Sequence, residues 1–354
     1  MNGPLLVTGS SGLIGAEAVR HFAARGRRVV GLDNNGRRDY FGPAGDTTPT
    51  LAALRAEVRG FEHHDVDVRD RAAVLALVRR LRPSAVIHCA AQPSHDLAKS
   101  RVFDDFDVNA GGTLNLLEAL RRARPDAPFV FLSTNKVYGD APNERELIET
   151  ETRFDYARPE DHHGIDESCR VDASMHSLFG ASKTAADLLV QEYGRYFGMP
   201  TVCFRAGCMT GAHHAGVELH GFLSYLVKSA VSGRVYTVFG HGGKQVRDQI
   251  HASDVCSAIE AWLARPTSAA VYNLGGGRES NASILECFAL LGELLGRPVE
   301  RRHDPRARAG DHVCYVSDLR RFQADHPGWE LTRRVPDMLA EFVAAERSGL
   351  LRIG

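Results

Sequence analysis

A short apolar run, Pro4-Leu5-Leu6-Val7, leads straight into Thr8-Gly9-Ser10-Ser11-Gly12-Leu13-Ile14-Gly15. Behind it, Ala16 to Ala24 places Ala18, Val19, Phe22 and Ala23 at helical spacing. A strand, a glycine turn and a helix start in this order make a dinucleotide site, and no other stretch constrains the fold as much. Gly9 permits the tight turn, Gly12 lets the backbone approach a pyrophosphate, and Gly15 lets helix and strand pack closely. The N–H groups of the turn and first helical residues, Ser11, Leu13 and Ile14 among them, then hold the phosphates at the positive end of the helix dipole.

The spacing is G-x-x-G-x-x-G, so an ordinary glycine turn is the competing reading. Asp33 counts against it. It ends the second apolar run, Val29-Val30-Gly31-Leu32, roughly twenty residues beyond the glycines. A carboxylate there accepts hydrogen bonds from the adenosine ribose and repels a 2′-phosphate, which favours NAD over NADP. Asn34 joins it in the expected cofactor set, and Arg37 and Arg38 lie close by.

From Pro4 to about Leu132 strand and helix patterns alternate, as in an α/β, Rossmann-type doubly wound parallel sheet. Asn34 to Thr50 reads as a long polar loop that lies beside the adenosine end or folds over the site, before a helix at Ala52 to Val58. Phe61 to Val68 reads as a strand whose end, Asp67-Val68, faces the ligand crevice. Asp67 either accepts the adenine amino group or, like the better-placed Asp70, caps the helix Arg71 to Arg80. Ala90, Ala91 and Gln92 follow the strand at Ala85, where small side chains admit a dinucleotide. Asn109 sits on a helix read from Asp107 to Arg121, contacting the cofactor or tying strand ends together. Phe129 to Thr134 is another strand, followed by the loop Asn135 to Gly139 and a polar, substrate-side stretch to His176.

These patterns divide the chain into a dinucleotide-binding domain, residues 1–206 and about 245–277, and a smaller discontinuous substrate domain, about 207–244 and 278–354. The 354 residues carry 43 basic and 44 acidic side chains, a balance that gives no reason to expect nucleic acid or an anionic membrane as partner. Seven cysteines form no C-x-x-C pair, so buried thiols in a reducing cytoplasm are expected, and no metal. No apolar run reaches transmembrane length, and the chain enters a strand almost at once, without a signal-peptide pattern.

Several blocks together resemble the extended short-chain dehydrogenase/reductase family, the nucleotide-sugar epimerases and dehydratases. They are Thr8 to Gly15, Asp33, Asp67, His88 to Gln92, Ser133 to Gly139, the block ending in Lys183, and Gln245-Val246-Arg247-Asp248. Within that family the chain looks most like CDP-tyvelose (CDP-paratose) 2-epimerases, through Ser133 to Asp140, Asp166-Glu167-Ser168 and Gly243 to Asp248. The resemblance implies an NAD-dependent epimerase of a nucleoside-diphosphate sugar, working through a transient ketone. An epimerase at another carbon such as C4, or a dehydratase, is the nearest alternative. It implies that Thr134 bonds the reacting sugar oxygen, with Asn135 and Lys136 beside it. Lys183 would bind the nicotinamide ribose and lower the pKa of a nearby phenol, and Arg247 would grip the substrate diphosphate. The competing reading of Arg247 is a salt bridge with Asp248 or Asp254. The family pattern also implies a homodimer, formed by the helices Asn109 to Arg121 and Thr184 to Tyr196.

One position departs from that pattern. The family places a tyrosine, the general base, four residues before the lysine, and here that residue is Phe179. A benzyl ring takes and gives no proton. Either the chain is an inactive variant, or it only binds NAD and a sugar nucleotide, or another group has taken the role. The candidates are Lys136, whose competing reading is a surface or diphosphate-binding lysine, Tyr138, whose competing reading faces the core, Cys208, whose competing reading is a buried inert thiol, and the histidines His176, His213, His214 and His220, with His176 first among the histidines.

Overall fold

The computed structural model describes residues 3–211, 221–306 and 311–348, so His213, His214 and His220 lie outside the described residues. The chain forms two compact units. The first spans Met1–Val137, Ser177–Arg205 and Val255–Tyr272, the second Tyr138–His176, Ala206–Asp254 and Asn273–Gly354.

The first unit is built on seven strands: β1 (Leu5–Thr8), β2 (Val29–Leu32), β3 (Glu62–His64), β4 (Ala85–His88), β5 (Phe129–Thr134), β6 (Thr201–Ala206) and β7 (Ala270–Leu274). Their order is β7-β6-β5-β4-β1-β2-β3. The β1–β2, β1–β4, β2–β3 and β4–β5 pairs are parallel, with Leu5 opposite both Val29 and Ala85. The order reverses between β1 and β4, the switch point where a doubly wound sheet binds its ligand. Helices Leu13–Ala24, Arg71–Leu81, Gly112–Ala123 and Leu178–Phe197 flank the sheet. One buried cluster joins strand residues Leu6, Val30, Val86, Phe129 and Phe131 to Val74, Val78, Leu116, Leu117, Leu120 and Val190. Helices on the faces explain why the central strands read as unbroken apolar runs. Asp70 caps its helix, accepting from the Ala73 nitrogen at 3.0 Å, and Ser177 does the same for Gly180 at 3.0 Å.

Some elements differ from the sequence reading. The expected loop from Asn34 to Thr50 contains a helix, Gly36–Phe41, a 3₁₀ turn, Gly42–Gly45, and the start of a helix at Thr48–Glu57. Asn35, at φ +55°, knots this stretch. Its side-chain oxygen accepts from the Thr47 nitrogen and hydroxyl, both at 2.9 Å, and its amide donates to Asp46 at 2.8 Å. The helix read from Asp107 begins earlier, at Val102–Phe106, and passes through a π turn, Asp107–Gly111, before Gly112–Ala123. Helix Ala252–Ala264 is absent from the sequence reading, although Val255, Cys256, Ile259 and Trp262 recur at helical spacing and are buried.

In the second unit Val246–His251 is the central strand. Asn281–Ser283 pairs with it antiparallel, and Cys314–Tyr315 and Cys208–Thr210 pair with it parallel. Helices Phe222–Val231, Ile284–Leu295 and Val335–Arg347 bury Leu226, Val227, Phe288, Leu291, Met338, Leu339 and Phe342 in one apolar cluster. The polar stretch before His176 holds a hairpin, Leu147–Glu149 with Phe154–Tyr156.

Candidate active site

The glycine turn is fixed by sterics. Gly9 has φ +64°, and a Cβ there would lie 2.7 Å from the Ala90 nitrogen. A Cβ on Gly15 would lie 2.0 Å from the Gly9 carbonyl oxygen. The loop after β4 therefore packs directly on the turn, which is why small residues follow that strand. The helix starting at Leu13 has Gly12 as its cap and no side-chain cap bond, so its first N–H groups are left for an anion. The hydroxyls of Ser10 and Ser11 are buried without a protein partner. Asp33 accepts from the Ser11 nitrogen at 2.9 Å and the Asn35 nitrogen at 2.8 Å, one bond to each oxygen. Burial raises its pKa against the pull of those two N–H groups, and each oxygen keeps capacity for a further donor.

At the ends of β2 and β3, the Asn34 amide donates to Asp67 at 3.0 Å, and the Arg69 guanidinium forks onto the same carboxylate, its shortest bond 2.7 Å. The Val68 carbonyl accepts from the Asn115 amide at 2.9 Å. Beyond β4, Gln92 and Asn109 belong to a buried network. Asn109 accepts from the Gln92 nitrogen at 3.0 Å and donates to the Ser182 hydroxyl at 3.0 Å. The Asp105 carboxylate accepts from the Gln92 amide at 2.8 Å and from the Ser182 hydroxyl. Asn109 thus ties the loop after β4 to the helix carrying Lys183.

Thr134 ends β5 and accepts from the Lys136 nitrogen at 3.2 Å within the 3₁₀ turn Asn135–Tyr138. The Lys183 ammonium donates to the Leu132 carbonyl at 2.6 Å and stands 4.1 Å over the Phe131 ring. Burial pushes this amine down to about 8, the nearby Asp187 carboxylate opposing the shift. Phe179, one turn earlier, is buried. His88 bridges the Thr8 and Thr113 hydroxyls at 2.7 and 3.0 Å, and burial lowers it to about 3, so its ring is neutral.

In the second unit, the Tyr138 hydroxyl is fully buried and donates to Asn273 at 2.8 Å. It faces core, the competing reading of this residue, and not a substrate. A ring nitrogen of His176 meets the Ser174 carbonyl at 3.0 Å. Cys208 is half-buried. Arg247 pairs with neither Asp248 nor Asp254. Its guanidinium bonds Asp311 at 2.7 Å and the Val246 carbonyl at 2.8 Å. Asp248 instead holds the Ser317 and Gly277 nitrogens, and Asp254 those of Thr332 and Arg333.

The family model described as NAD dependent epimerase/dehydratase matches residues 5–275. The chain belongs to that family. A curated CDP-paratose 2-epimerase of Salmonella typhi is 32% identical over 324 residues, covering 90% of this chain and 91% of the relative. A dTDP-glucose 4,6-dehydratase of Xanthomonas campestris pv. campestris is 31% identical over 347 residues, 92% of this chain and 88% of the relative. Among solved structures, the UDP-glucose 4-epimerase of Thermus thermophilus in complex with NAD superposes with a TM-score of 0.78 at 26% identity, over 97% of this chain and 99% of that one.

As an NAD-dependent epimerase or dehydratase, the protein has a turn that fits its cofactor. Two orphaned serine hydroxyls, an uncapped helix start and a carboxylate with spare acceptor capacity converge there. Sequence reasoning missed Asp105, Ser182, Asp187 and Arg205. Asp187 accepts from Arg205 at 2.9 Å, Ser133 at 2.6 Å and Gln191 at 2.7 Å. A signal was present: an arginine ending the apolar strand Val202-Cys203-Phe204-Arg205 needs a buried acid, and Asp187 lies one turn beyond Lys183. Among the described residues no helix is long and apolar enough to cross a membrane, and no cluster of His, Cys, Asp or Glu is arranged to hold a metal.

Proposed function

We propose that the protein epimerises a nucleoside-diphosphate sugar of the CDP-tyvelose type through a transient ketone. The observation that carries this reading is its 32% identity with a CDP-paratose 2-epimerase over nine-tenths of the chain. When bound, NAD would supply the acceptor for a hydride from a ring carbon and the donor that returns it to the other face. Gly9, Ser11, Gly12, Leu13 and Ile14 hold its pyrophosphate. Asp33 and Asn34 hold the adenosine ribose, and Asp67 and Val68 line the adenine. Ala90, Ala91 and Gln92 admit the nicotinamide half, Asn109 braces that loop, and Lys183 bonds the nicotinamide ribose. Asp33 disfavours a 2′-phosphate, so NADP binding as tightly as NAD contradicts this placement. Thr134 hydrogen-bonds the reacting sugar oxygen, flanked by Asn135 and Lys136. Arg247 grips the diphosphate, as a guanidinium matches paired phosphate oxygens. Lys136 and His176 are the alternative proton-relay groups, and substitution of each tells whether it takes part.

The dehydratase relative supports a second reading, loss of water from the same class of substrate. Incubation with CDP-sugars and NAD separates the two. An isomeric product of unchanged mass supports epimerisation, a product lighter by one water supports dehydration, and binding without product makes the protein a sugar-nucleotide receptor.

The protein works as a homodimer in a reducing compartment such as the cytoplasm. Leu188 and Tyr196 are exposed apolar side chains on the expected pairing helix Thr184 to Tyr196, and all seven cysteines are free thiols. A concentration-independent monomer mass in light scattering contradicts the dimer.

A further inference from the structure

We infer that Lys183 is itself the group that takes the proton from the reacting sugar hydroxyl and returns it, in place of the phenol that Phe179 lacks. This rests on the sugar-nucleotide reading above. Phe179 and Lys183 lie four residues apart on one helix, hence on the same face, and both are buried. The lysine is the group of that pair able to titrate. Its amine is anchored at the strand that carries Thr134. The Leu132 carbonyl to which it donates at 2.6 Å belongs to β5, two residues before Thr134, about 7 Å along an extended chain.

What surrounds the amine matters as much as where it sits. Lys183 forms no ion pair among the described residues. Asp187, on its own helix, is engaged by Arg205, Ser133 and Gln191. Asp105, from Val102–Phe106, is engaged by Gln92, Asn109 and Ser182. His88 on β4 has both ring nitrogens on threonine hydroxyls. Cys89 after β4, and Cys203 and Arg205 on β6, complete the ionisable surroundings, and burial holds both thiols neutral. The ammonium therefore has one carbonyl, one ring face and the attraction of Asp187 and Asp105, both already engaged elsewhere, to offset its desolvation. A buried cation so poorly paired favours its neutral form, and a neutral amine carries the lone pair a base needs.

The step balances. The sugar O–H bond breaks as an N–H bond forms on Nζ, and the electron pair left on oxygen closes the carbonyl while the carbon gives its hydride to the nicotinamide oxidant. On return the carbonyl oxygen takes the proton back from Nζ as the hydride re-adds.

The test combines two readouts. Lysine-selective NMR of the NAD-loaded protein follows the Lys183 amine as pH rises, and kcat/KM for the sugar nucleotide is measured over the same range at saturating NAD. The inference expects Lys183 to titrate near neutral pH and kcat/KM to fall about tenfold per pH unit below that point. Lys183→Arg, checked for bound NAD and native circular dichroism, should lose roughly 10²-fold or more in kcat and the limb with it. Phe179→Tyr should move the limb to lower pH, whereas Lys136→Met and His176→Asn should keep it. The inference is overturned by a Lys183 that titrates above 10, or by a limb that survives Lys183→Arg. It is equally overturned by a limb that vanishes in Lys136→Met or His176→Asn, or by an inert parent that Phe179→Tyr awakens. A chain whose Lys183 titrates near neutral pH, yet which binds no sugar nucleotide, fails the functional reading instead.

Discussion

Lys183 and Arg247 are two buried cations that solve the same problem in opposite ways. Lys183 has a carbonyl and a phenyl face, and burial drives its pKa down to about 8. Arg247 is likewise desolvated, which pushes it down, but the Asp311 carboxylate at 2.7 Å more than compensates and the net shift is upward. The first unit thus holds an amine able to lose its charge near neutral pH, and the second a charge that persists at every pH. Proton transfer needs the former and anion binding the latter. The partner, more than the depth of burial, decides which kind of group a buried cation becomes.

Asp187 offers the largest test of that contrast, because it gives Arg205 the carboxylate that Lys183 lacks. Asp187→Ala strands Arg205 and should cost on the order of 3–5 kcal/mol in urea unfolding. A loss below about 1 kcal/mol would mean that the buried guanidinium needs no acid.

Lys183→Met should act in the other direction. The native pKa of Lys183 lies below its unfolded value of 10.5, so between about 8 and 10.5 the unfolded chain holds the extra proton. Stability contributed by this residue therefore rises with pH across that window, and below it a constant penalty on the order of 3 kcal/mol remains. Removing the amine should abolish the slope and stabilise the protein at pH 7. Identical pH–stability curves for parent and variant would break the comparison.

Arg247→Ala should weaken sugar-nucleotide binding by about 1.5–3 kcal/mol and leave NAD affinity unchanged, as read by calorimetry. Unchanged sugar-nucleotide affinity would make the Arg247–Asp311 pair purely structural.

The sequence made the cofactor turn legible because its demands are local. A glycine at positive φ, another against a carbonyl oxygen, and a carboxylate ending the next strand all show as spacing. The capping role of Asp70 was legible for the same reason. The pairing of Arg247 with Asp311 was not, since 64 positions separate them and the nearer Asp248 and Asp254 are taken by backbone nitrogens. Nor was the direction of Tyr138, because a 3₁₀ turn rotates successive side chains differently from the strand before it. The knot made by Asn35 hid two helical segments inside what composition presents as a loop, its left-handed backbone and side-chain bonds replacing the apolar stripe that marks a helix.

The central claim is a hydride that leaves and returns within one active site. The direct measurement is a crossover experiment: a CDP-tyvelose-type sugar carrying deuterium at the reacting carbon is mixed with unlabelled sugar bearing a mass tag in the base, and the epimerised products are weighed. We predict that deuterium stays with the sugar that brought it, with none passing to the tagged partner and none exchanged with water. Label in the tagged product, label lost to solvent, or no epimer at all would contradict the account.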